Sequence, residues 1–170
     1  MATLNDSMRK YFERASISRF DEGRTFRSFK ELNIAGSATY VVKIVVPVPV
    51  LFTGFEVATV SGSLKVETVA AGTPGGTFSE TLPIFKSNLT KVTPYVGKAV
   101  LTAGGTHTGG TVIDVIRIKA DGNQTRASNV IQRDAELRGI APSTYHWRFT
   151  NLDTTAVVGT VKILWEELPA

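Results

Sequence analysis

Two histidines and the adjacent carboxylates Glu166 and Glu167 are the side chains of this 170-residue sequence best suited to acid, base or metal chemistry. His107 lies in Gly104-Gly-Thr-His-Thr-Gly-Gly110, a glycine-bracketed hairpin tip, and His146 alternates with aromatic residues in a strand-like stretch that turns it outward. Neither has a second ligand at metal spacing, so each reads as structural or solvated. The absence of cysteine removes thiolate nucleophiles, disulfides and cysteine-based metal sites together. Glu166 and Glu167 are neighbours on a strand, point to opposite faces, and cannot share one acid/base site; they read as solubilising that end of the chain. No G-x-S-x-G elbow seats a nucleophilic serine, and Gly97-Lys98 lacks both the spaced glycine and the following Ser or Thr of a phosphate-binding loop. Asn88-Leu-Thr90 and Asn123-Gln-Thr125 match the glycosylation acceptor, a tripeptide that arises often by chance. The expectation is a protein without enzymatic activity, cofactor or metal.

Charge points the same way. Nineteen basic residues against fifteen acidic ones give a net charge of +4, mild and interspersed. One run, Arg24-Thr-Phe-Arg-Ser-Phe-Lys30, mixes aromatic and basic residues as single-strand binders do, yet no basic stripe surrounds it, and no nucleic-acid partner is expected. The first twenty residues carry Asp6 and Glu13 and lack the apolar run of a secretory signal. The longest apolar stretch, residues 41–52, is interrupted by Lys43, Pro47 and Pro49, too short and broken for a membrane span.

The elements that would position these residues follow from hydrophobic period. Composition changes near Asn33, which divides the chain into an N-terminal arm, residues 1–33, and a β domain, residues 34–170. In the arm, Met8, Tyr11, Phe12 and Ala15 share one face of a predicted short helix capped at Asn5, Asp6 or Ser7, with Arg9, Lys10, Glu13 and Arg14 opposite. Such a helix is too short to stand alone in water. Met8, Tyr11, Phe12, Arg14, Phe20, Arg24, Phe26, Arg27 and Phe29 are therefore the residues expected to contact partners, because they have no place in the strand pattern that follows.

From Gly36 onward the period is two. Tyr40, Val42, Ile44, Val46, Val48 and Val50 share one face of a long strand that Pro47 and Pro49 place at an edge or lead out of the sheet. Further strands are expected over residues 55–60, 63–69, 77–82, 95–102, 111–119, 143–151 and 157–167, joined by glycine-rich turns. This spacing predicts an all-β chain, an antiparallel β-sandwich of jelly-roll type with a short N-terminal helix or extended arm. Tyr145, Trp147 and Phe149 face one way, as do Val157, Val161, Ile163 and Trp165, so residues 143–151 and 157–167 are expected to pair as a hairpin that buries both tryptophans. Residues 120–138 lack a clear period and read as a polar insertion with one helical turn at 131–137.

The run RTFRSFK followed by Asn33-Ile-Ala-Gly36, the stretch Pro47-Val-Pro-Val-Leu-Phe52, Ser61-Gly-Ser-Leu-Lys-Val-Glu67, Gly72-Thr-Pro-Gly-Gly-Thr-Phe78, Gly104-Gly-Thr-His-Thr-Gly-Gly-Thr111, Arg138-Gly-Ile-Ala-Pro142 and Trp165-Glu-Glu167 resemble a group of small virion structural proteins of tailed bacteriophages. The resemblance implies a non-enzymatic β-sandwich built into the virion, as a capsid decoration or cement protein that bridges capsid subunits. A tail, collar or fibre component anchored by its N-terminal arm is the alternative. A carbohydrate-binding jelly-roll module is a third reading, and it would require Trp147 and Trp165 to be exposed platforms. The partners implied are other virion proteins, the major capsid protein or proteins near the tail and portal. An apolar edge at residues 45–51, guarded only by two prolines, leads to the expectation of a homo-oligomer, a trimer, in which that edge and residues 120–138 meet neighbours.

Overall fold

The computed structural model describes residues 19–89, 95–119, 127–131 and 138–169. The chain is an antiparallel β-sandwich, as its period predicts. One sheet runs in the order β11 (Ala127–Ile131), β3 (Val50–Thr59), β14 (Val157–Glu167), β1 (Thr25–Ile34), β7 (Ile84–Lys86), with β12 (Arg138–Ile140) also paired to β3. The other runs β10 (Thr111–Lys119), β4 (Ser63–Ala70), β13 (Ser143–Asn151), β2 (Thr39–Val46), β8 (Val100–Ala103), β6 (Glu80–Thr81). A separate two-stranded ribbon joins β5 (Thr73–Gly75) to β9 (Thr106–Thr108). Among the described residues no helix is long and apolar enough to cross a membrane.

Alternation builds the core. On β2, Val42, Ile44 and Val46 are fully buried, and they meet Val57 of β3, Leu64 and Val66 of β4, Phe149 of β13 and Val161 and Ile163 of β14 in one cluster between the sheets. Burying each such side chain contributes about 1.5–3 kcal/mol. Pro47 and Pro49 do end the strand: the chain leaves one sheet there and enters the other as β3, and the Pro49 carbonyl accepts the Leu168 amide. At the start of the described chain a helical turn at residues 19–21 closes on Gly23, whose φ of 73° suits a left-handed cap. The Gly23 amide donates to the Phe20 carbonyl and the Arg24 amide to that of Arg19, which hands the chain to β1.

Several sequence expectations change. Residues 143–151 and 157–167 do not form a hairpin: β13 pairs with β2 and β4, whereas β14 pairs with β1 and β3. Asn151 is the cause. Its side-chain amide donates to the carbonyls of Ile34, Ala35 and Thr155, and its carbonyl accepts the Asp153 amide, which bends the chain across to the other sheet. Both tryptophans are nevertheless buried, Trp165 against Phe26 and Trp147 against Phe52 and Phe55.

The boundary at Asn33 also falls inside a strand. Phe26, Ser28, Leu32 and Ile34 form a buried row on β1 that interspersed charges hide from a composition reading. Residues 45–51 are not an open edge, because β2 lies between β13 and β8, and β3 is covered by β11 and β12. The edge argument for a trimer therefore falls away. Finally, Ile131 ends a strand, and β11 and β12 of the region read as a polar insertion supply the cover for β3; residues 132–137 of the expected helical turn lie outside the described residues. The strands expected at 77–82 and 95–102 shrink to β6 and β8, and residues 95–99 run without strand pairing.

Candidate functional site

The carboxylates expected to solubilise the chain end are buried instead. Glu167 accepts the backbone amides of Lys98 and Ala99, each at 2.9 Å, and the Tyr95 hydroxyl at 2.7 Å, so this one side chain satisfies the unpaired segment 95–99. Burial, then the hydrogen bond to Glu167, pushes the Tyr95 hydroxyl up to about 12. The Arg24 guanidinium lies 4.2 Å above the Tyr95 ring and also bonds Glu22. Glu166 faces elsewhere and accepts from Arg19 Nε at 2.6 Å. At the sandwich edge Glu80 of β6 accepts from Lys30 on one sheet and Tyr40 on the other, which ties the two sheets; the Lys30 hydrogen bond chiefly holds its carboxyl below the usual range. All these carboxylates are engaged in holding segments in place.

The two histidines, far apart in sequence, meet. His146 does point out of its sheet, as period two requires, but the β5–β9 ribbon covers that face, so it is only 3% exposed. The rings of His107 and His146 stack at 3.9 Å between centroids with 20° between planes. His107 Nε2 lies 2.8 Å from the Ala71 carbonyl, which assigns the proton to that nitrogen. Gly72 makes room for the stack: its φ is 91°, and a Cβ there would lie 2.6 Å from the His107 ring. Phe78 packs on His146, and Lys43 Nζ sits 4.8 Å above Phe78. Burial chiefly, with the nearby His107 and Lys43, pushes the His146 imidazole down to about 4. Stacked rings carry their nitrogens in parallel planes and cannot converge on one ion, and among the described residues no three His, Asp or Glu side chains cluster at metal-binding distance.

Beside this stack the outer face of the β4–β13–β2 sheet carries a polar recess. Register places Lys65, Thr150 and Thr39 in one row and Glu67, Arg148 and Val41 in the next, while Thr106 and His107 of β9 overhang them. Glu67 is 2.6 Å from Lys65 Nζ and 3.3 Å from Arg148 Nη2. The sequence reading missed this constellation, although period two was a usable signal: with Leu64 and Val66 inside, Lys65 and Glu67 must point out.

The expected partner-binding residues divide. Met8, Tyr11, Phe12 and Arg14 lie outside the described residues. Phe26 is a correction: at 2% exposure, stacked on Trp165, it belongs to the core and is closed to partners. Arg24 is engaged with Glu22 and Tyr95 inside the chain. Phe20 is exposed, Arg27 is half-buried, and Phe29 is 53% exposed on the outer face of its sheet. There Phe29 stacks on Phe85 of β7, itself 40% exposed, with centroids 5.6 Å apart and planes 9° from parallel. Phe85, paired in register with Arg27, was not singled out from the sequence, because β7 is too short to show a period.

No family model matches the chain, and no curated protein matches it. Solved structures of infectious bursal disease virus align over 85% of the chain: a T=1 particle at 12% identity and TM-score 0.14, and a VP2 subviral particle at 11% and 0.15. The chain spans 41–42% of those proteins' length. Likeness at this level carries no argument about fold or function.

Proposed function

We propose that this chain is a non-enzymatic structural protein of a tailed-phage particle, a decoration or cement protein whose Phe29–Phe85 face and N-terminal segment dock onto neighbouring particle proteins. The observation that carries the reading is the aromatic pair itself. Two stacked phenylalanines left in water on an open sheet face lose nothing by being covered, and rigid aromatic anchors of this kind dominate binding energy at protein interfaces. Phe29 lies on β1, the strand into which the basic, aromatic N-terminal segment runs, and Phe85 lies beside it on β7. The turn motifs resembling phage virion proteins and the antiparallel sandwich agree with this reading. Bridging adjacent capsid subunits adds interface area that must be broken before a shell opens. The expected trimer has lost its edge at residues 45–51, and the face proposed to dock onto neighbouring particle proteins does not supply another.

The test compares three forms of the protein in particle assembly. Removal of residues 2–18 stops short of Arg19, so the buried Glu166 keeps its partner. Phe29→Ser with Phe85→Ser leaves the core untouched. Both forms are expected to remain folded by circular dichroism and to lose most of their copy number on purified particles. Incorporation at the wild-type copy number by both would refute the assignment, and light scattering of the wild-type chain reads the trimer.

A further inference from the structure

The recess on the opposite face has no part in the docking proposed above, and its chemistry is that of a ligand site. Its volume is about 380 Å³, within the roughly 300–1,000 Å³ of small-molecule sites. Val41 gives it an apolar floor, Lys65, Glu67 and Arg148 its charges, and Thr39, Thr106 and Thr150 its hydroxyls. Two cations face one carboxylate, so the recess carries one net positive charge.

Arg148 has donor capacity to spare. Its Nη1 contact with the Gly109 carbonyl is long at 3.4 Å and its Nη2 contact with Glu67 is 3.3 Å, and each of these terminal nitrogens carries a second N–H. A guanidinium offers five N–H donors in a fixed fork that matches a carboxylate in two-point contact. Glu67, lying between the cations, repels a bare anion yet accepts hydroxyl protons, and the threonines donate and accept. Positive charge, a carboxylate that wants hydroxyls and three neutral hydroxyls together select a ligand with several O–H groups and one carboxylate.

We propose that the recess formed by Lys65, Glu67 and Arg148 under the β5–β9 ribbon binds an acidic sugar, a pyranose carrying one carboxylate, as a free unit or at the end of a polysaccharide. Arg148 and Lys65 take the carboxylate, Glu67 accepts from ring hydroxyls, and Thr39, Thr106 and Thr150 complete the rim. This binding mode needs no exposed tryptophan, and both tryptophans are in the core.

Amide chemical shifts of the full chain, titrated with glucuronate, glucose and acetate, test the assignment. Glucuronate is expected to shift Thr39, Lys65, Thr106 and Thr150 with millimolar affinity, glucose to bind at least tenfold more weakly, and acetate to produce no saturable shift there. Arg148→Gln is expected to lower glucuronate affinity at least tenfold. Thr106→Val, on the rim and away from the core, is expected to lower it about threefold and guards against a folding defect in the first variant. An oligouronate that binds more tightly than glucuronate assigns the polysaccharide as source, and equal affinity assigns the free unit. Glucuronate shifts scattered over the surface, acetate shifts equal to those of glucuronate, or undiminished binding by both variants would overturn the proposal.

Discussion

Acid should loosen this protein through a single imidazole. In the unfolded chain a histidine titrates near 6.5, whereas burial against His107, Phe78 and Lys43 pushes His146 down to about 4. Between those values the unfolded chain binds the proton and the folded chain does not, so stability falls as pH falls. The contribution is complete above about pH 6.5 and fully lost below about 4. At about 1.4 kcal/mol per pH unit the loss reaches about 3 kcal/mol, a large share of the roughly 5–15 kcal/mol that holds a domain together. For a chain of this size that corresponds to a fall of roughly 6–12 °C in melting temperature. The groups facing the ring are His107 of β9 and Lys43, its register partner on β2; its register partner on β4 is the apolar Val69. Chemical denaturation from pH 7 to pH 5 separates imidazole from carboxylate titration, because free carboxylates protonate mainly below that range, and it should read about 2 kcal/mol of the loss. His146→Phe keeps an aromatic ring in the stack and removes the proton site, so its stability should stay flat where the wild type declines. Parallel curves for the two proteins, or a His146 ring resonance titrating near 6.5, would refute the reasoning.

Other perturbations follow from the same contacts. Trp147→Ala or Trp165→Ala should each lower unfolding free energy by about 3–5 kcal/mol in denaturant titrations, as large core truncations do. Glu167→Gln replaces one of two accepting oxygens by an amide and should cost about 1–3 kcal/mol, with faster hydrogen exchange at Lys98 and Ala99; unchanged protection there would show that the carboxylate does not hold segment 95–99. Gly72→Ala puts a methyl 2.6 Å from the His107 ring at a left-handed φ, and should cost about 1–3 kcal/mol while raising the apparent pKa of His146 as the ribbon lifts.

What the sequence determined by itself is the set of strand faces. The rows Val42–Ile44–Val46, Trp147–Phe149 and Val161–Ile163–Trp165 are buried as their period predicts, because alternation is a property of the extended backbone and needs no knowledge of partners. Pro47 and Pro49 likewise end a strand for a reason local to the residue, the missing amide proton. Pairing is different. Trp147 and Trp165 lie eighteen residues apart on strands of opposite sheets, since the Asn151 side chain, not hairpin propensity, directs the chain between them. β1 joins β14 across more than a hundred residues, and its charged residues hide a buried row until that partner is known. Burial of polar groups was the least legible of all. An outward side chain stays in water only if no other segment covers it, and His146, Glu166 and Glu167 are covered or claimed by the β5–β9 ribbon, Arg19 and residues 95–99. Each cover is a long-range contact, which only the tertiary structure decides.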